Sequence, residues 1–129
     1  MQKLRDNLLK LLARREYSQK ELMLKMQSKG FEVEQIEEQI ARLAEVGLQS
    51  DERYAEMLTE HYVLKGKGPF YLRQKLREKG LNQTIVEASI SAMDVDEALK
   101  NALYRLRRYD GVLRRRRLVA WGFSTEEME

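Results

Sequence analysis

The sequence predicts an all-α fold: three tandem three-helix repeats stacked into an elongated helical array. Three observations point to it. Apolar residues recur every three or four positions, one block of residues returns twice along the chain, and a glycine stands where the middle helix of each repeat must stop. The single proline and the scarcity of β-branched runs argue against strands.

The helices follow in order. Leu4, Leu8, Leu11 and Leu12 fall at 3.6-residue spacing, as do Leu22 with Met26, then Ile36, Ile40 and Leu43. Tyr54, Met57, Leu58 and Tyr62 continue the pattern, followed by Leu72 with Leu76 and Val86 with Ile90. Leu99, Leu103 and Leu106 come next, and Leu118 precedes the last turn. Each stripe suits a short amphipathic helix of about 10–15 residues.

A shift of 50 lays Leu22 on Leu72, Lys25 on Lys75, Met26 on Leu76, Gly30 on Gly80 and Ile36 on Val86. A shift of 92 carries Lys25 to Arg117, Met26 to Leu118, Gly30 to Gly122 and Phe31 to Phe123. Units this short cannot bury an apolar face alone, so they stack on their neighbours. The expected repeats are 1–49, 50–93 and 94–129, the last with a truncated final helix. Gly30, Gly80 and Gly122 suit left-handed helix ends, each followed by a large apolar residue, Phe31, Leu81 or Phe123. Ser18 with Glu21 and Ser124 with Glu127 have capping-box spacing, and Pro69 suits a first helical turn.

Composition bounds the function. Charged residues make up 35% of the 129 and hydrophobic ones 43%, too apolar for a disordered chain. No apolar run approaches the roughly 20 residues of a spanning helix, and the amino-terminal leucines are mixed with acids and bases, unlike a signal peptide. There is no cysteine, hence no disulfide, thiolate metal site or thiol nucleophile. A cytoplasmic, monomeric protein is the expectation. Net charge is only +3, but residues 100–117 carry eight basic side chains against Asp110 alone. Such a face attracts an acidic partner.

Catalytic, cofactor and metal residues are expected to be none. His61 is the one histidine and has no second ligand at helical spacing. The adjacent acids Glu37 and Glu38 do not share a helix face. The stretch KGKGP at 65–69 lacks the spacing of a phosphate-cradling loop; it reads as a turn between helices, or as a set of N–H groups open to an anion. The methionines fall mostly on apolar stripes, and Trp121 is either core or a contact residue.

Binding remains. On a helical wheel Leu72 and Leu76 face inward, Arg73 and Arg77 line one flank, and Lys75 and Lys79 line the other. Tyr71 lies off the buried stripe. Arg114, Arg115, Arg116 and Arg117 surround most of a helical turn, so they cannot all face a core. With Lys65, Lys67, Arg105 and Arg108 they complete the candidate binding set. The planar fork of arginine suits carboxylates and phosphates alike.

The EL..K[LM]..KGF block, DERYAE at 51–56, KGKGP, and a basic helix ending in KGL together resemble the bacterial RecX regulatory family over almost the whole chain. RRRRLVAWGFS at 114–124 looks like the family's basic third-repeat helix. The resemblance implies an elongated and curved array of three three-helix repeats, without enzymatic activity. It implies a partner, the RecA recombinase filament on DNA, whose groove such proteins occupy. It also implies inhibition of RecA ATP hydrolysis, strand exchange and coprotease activity, and so a role in recombination, DNA repair and the SOS response. DNA, single- or double-stranded, is a further implied contact. The third repeat departs from the family in the tight link RRYDGVLRRRR and in a final helix that stops near STEEME. A stand-alone basic DNA- or RNA-binding module is the alternative; a scaffold would need a large exposed apolar face, which the charge content disfavours.

Overall fold

The computed structural model describes residues 2–128, and these form eight helices and no strands. They are α1 (Gln2–Arg14), α2 (Gln19–Ser28), α3 (Val33–Glu45), α4 (Asp51–Lys65), α5 (Pro69–Glu78), α6 (Gln83–Ala92), α7 (Val95–Arg105) and α8 (Gly111–Ala120). The repeat is written into the helix ends. α5 covers the ten residues of α2 displaced by 50, and α8 covers them displaced by 92. Gly30, Gly80 and Gly122 all take positive φ, +95°, +80° and +97°. After α2, Gly30 N–H donates to Gln27 and Phe31 N–H to Met26; after α8, Gly122 and Phe123 donate to Val119 and Leu118 in the same way. This is the double bond of a Schellman cap.

Compactness divides the chain in two: Met1–Tyr54 with Lys79–Leu81, and Ala55–Glu78 with Asn82–Glu129. In the first unit Leu4, Leu8, Leu22, Met26, Ile36, Ile40 and Leu43 are buried together with Tyr17. Ser18 and Glu21 form the expected capping box at the start of α2. The Glu21 carboxylate also meets Arg15 at 3.4 Å and Lys79 at 3.5 Å. Burial by itself would raise the Glu21 pKa, but the Ser18 N–H, Arg15 and Lys79 outweigh it and hold the group below its ordinary value.

The DERYAE motif is a joint in this unit. Asp51 accepts from Gln19 N–H at 3.0 Å and from the Gln49 side chain at 2.9 Å. Arg53 pairs with Glu16 at 2.8 Å and donates to the Gly47 carbonyl at 2.7 Å, while Tyr54 is buried. Gln49 is buried too, its amide bridging Gln19 and the Tyr17 carbonyl. A buried amide that finds its partners is tolerated; one that does not is costly.

In the second unit Leu72, Leu76, Ile85, Val86, Leu106, Leu118 and Phe123 are buried. One expectation holds only in part. Of the expected inner stripe Leu99, Leu103 and Leu106, Leu106 is buried and Leu99 half-buried, but Leu103 is exposed, and Ala98 and Ala102 are buried. The α4–α5 turn approaches this helix closely: a Cβ on Gly66 would lie 2.7 Å from Ala102 N, so the turn needs glycine there. The third repeat ends as a turn. Ser124 and Glu127 make both capping-box bonds, at 2.6 Å and 3.2 Å, but residues 124–128 do not form an α-helix.

Candidate binding surfaces

α5 carries the basic residues that its wheel pattern singles out, and most of them are engaged within the protein. Arg73 pairs with Glu87 of α6, Lys75 with Glu78 at 3.4 Å, and Lys79 with Glu21. The bond to Glu78, then the nearby Tyr71 ring, raises the Lys75 pKa. Arg77 is exposed and makes no ion pair among the described residues. Tyr71 is half-buried, edge-on to Tyr62 with ring centroids 5.2 Å apart, and flanked by the ammonium groups of Lys67 and Lys75. His61 is exposed beside Tyr62.

The turn at 65–69 is not an anion cradle. Gly66 N–H donates to Val63, Lys67 N–H to Tyr62, and Gly68 N–H to Trp121 at 2.7 Å. Phe70 N–H then donates to the Gly122 carbonyl at 3.1 Å. The carbonyl end of α8 thus satisfies the amino-terminal N–H groups of α5, a charge-complementary meeting of helix ends. Gly68 stands where α2 has its capping serine, because a Cβ there would lie 2.5 Å from the Gly122 oxygen. Lys67 emerges from the turn with its ammonium 4.1 Å from the centroid of the Trp121 ring. Trp121 is half-buried.

The third repeat differs in kind. Arg105, Arg107, Arg108 and Arg114 to Arg117 make no ion pair among the described residues. Asp110, the one acid among them, caps α8 by accepting from Leu113 N–H. The arginines stack on tyrosine instead: Arg107 lies 4.1 Å from the Tyr104 centroid and Arg117 4.5 Å from that of Tyr109. Arg114 is half-buried and donates to the Tyr109 carbonyl; Arg115 and Arg116 are exposed beside Val112 and Val119. Tyr104 and Tyr109 carried no sequence signal of their own, since only their neighbours' charge was patterned.

Two family models match the chain: RecX first three-helix domain over residues 5–43 and RecX second three-helix domain over residues 50–90. A regulatory protein RecX of Halorhodospira halophila is 32% identical over 105 residues, which is 81% of this chain and 65% of the relative. A regulatory protein RecX of Pseudomonas putida is 37% identical over 95 residues, 74% of this chain and 67% of the relative. The chain belongs to the RecX family. It spans about two thirds of the length of these RecX relatives. The crystal structure of RecX from Lactobacillus salivarius shares the fold, with a TM-score of 0.78 at 21% identity over 98% of this chain and 90% of that one. Within the motifs DERYAE and KGKGP, Asp51, Arg53 and Gly68 make contacts inside this chain. No helix among the described residues is long and apolar enough to cross a membrane.

Proposed function

We propose that this RecX-family chain is a non-enzymatic, cytoplasmic regulator that binds the RecA filament on DNA and damps RecA ATP hydrolysis, strand exchange and coprotease activity. The observation that carries the reading is the set of seven arginines between 105 and 117 without one carboxylate partner among the described residues, in a chain whose α5 cations are largely paired. Unpaired surface charge of one sign gains most from an extended partner of the opposite sign. A nucleoprotein filament is such a partner, and family membership supports the choice.

The test is RecA ATP hydrolysis on single-stranded DNA with the full chain added. Inhibition at stoichiometric or lower amounts is expected, and its absence overturns the reading. The stand-alone nucleic-acid module predicts inhibition only at amounts that coat the DNA, so the titration separates the two.

A further inference from the structure

We propose that α8 of one copy lays the face of Val112 and Val119 into an acid-edged apolar groove beside α4 of a second copy of this chain. The inference goes beyond the filament reading and departs from the monomer expected from the sequence. Both faces belong to this chain, and no filament takes part.

The groove is a cavity of about 400 Å³ where the end of α4 meets the α6–α7 link. Its apolar lining includes Val63 and Leu64 of α4 with Ala92 and Met93, and Leu64 is 68% exposed. The charged residues of the lining are Glu60 and Asp94, both acids and both exposed. Glu60 makes no ion pair among the described residues. The groove thus offers apolar surface and negative charge together.

The complementary arrangement stands on α8. Val112, Arg115, Arg116 and Val119 line one face, at positions i, i+3, i+4 and i+7, the spacing with which a helix seats itself in a groove. Val112 is 67% and Val119 57% exposed. Arg115 and Arg116 make no ion pair among the described residues. Two guanidinium groups can therefore meet two carboxylates while the valines cover Val63, Leu64 and Met93. The same charges disfavour α8 against α8, where arginine would face arginine. Both faces are exposed within one copy, so the match is made between copies and joins two different patches.

The test is sedimentation equilibrium of the full chain alone over a series of rising concentrations. The weight-average mass should rise with concentration, and the rise should weaken as salt screens the ion pairs. Arg115→Glu with Arg116→Glu should weaken association at least about tenfold, and so should Glu60→Arg, because each sets like charges together. Asp94 stays in place, since it caps α7. An equimolar mixture of the two variants should associate again, because each supplies the patch that the other has lost. Val112→Ser with Val119→Ser should weaken association and leave its salt dependence unchanged.

A mass that stays that of one copy overturns the proposal. Association that Glu60→Arg leaves intact, or that survives the paired valine substitutions, overturns it too. So does a mixture that stays apart while both charge variants keep the circular dichroism of the wild type. With no RecA or DNA present, failure here leaves the filament reading standing, and failure to inhibit the ATPase leaves the self-association standing.

Discussion

At the residue scale, Gly30 and Gly122 have nearly the same backbone angle and unequal surroundings. A Cβ on Gly30 meets open space, whereas one on Gly122 would lie 2.5 Å from Tyr71 N and 2.7 Å from its Cβ. Gly30→Ala is therefore expected to cost about 1 kcal/mol, for the left-handed conformation alone. Gly122→Ala adds overpacking and should cost about 3 kcal/mol. Urea unfolding midpoints measure both, and equal losses would contradict the close approach. Glu21 supports a second prediction. Its folded pKa is below the ordinary 4.5, so its contribution is complete above that value and disappears as pH falls through the lower, folded one. Stability below about pH 4.5 should decline less steeply in Glu21→Gln than in the wild type. Parallel curves would mean the carboxylate does not carry the acid sensitivity.

At the element scale, α5 shows why a charge pattern misleads. Its four cations look solvent-directed on a helical wheel, yet Arg73, Lys75 and Lys79 have acidic partners that sit 14, 3 and 58 residues away in sequence. Only the short-range pair was legible before folding; no periodicity announces Glu87 or Glu21. Reversing all of Arg73, Lys75, Arg77 and Lys79 to glutamate therefore does more than change a surface. It sets like charges at Glu87 and Glu21, and a loss of about 1–3 kcal/mol is expected from the sum of exposed and half-buried pairs. Arg73→Glu combined with Glu87→Arg should recover about 0.5–1 kcal/mol relative to Arg73→Glu alone. Thermal melts check this, and no recovery would mean the pair contributes nothing. α7 shows the converse limit. Its Leu103 is exposed while Ala102 is buried against the backbone of the neighbouring turn, an approach that local pattern does not encode.

At the scale of the whole molecule, the repeat was legible because its period is carried by residues that have the same job each time. Leucine or methionine faces inward, glycine ends the helix, and a large apolar residue follows. The joints between repeats were legible only as motifs, since Asp51 and Gly68 act on chain segments far away in sequence. The candidate binding face was legible as charge and not as a site, because pairing decides which cations remain without an internal partner. The joint in the second unit makes a final prediction. Gly68 and Phe70 donate to Trp121 and Gly122, and Phe123 is buried beside them, so α4 to α6 need the third repeat. Removing residues 94–129 should abolish hydrogen-exchange protection at the Gly68 and Phe70 amides while Leu22 and Met26 in α2 keep theirs, because their core lies in the first unit. Phe123→Ala in the full chain should reproduce the loss in milder form, at about 3 kcal/mol. Undiminished protection at Gly68 in the shortened chain would show that α5 is held without the end of α8, and the helix-end pairing would then carry no stability.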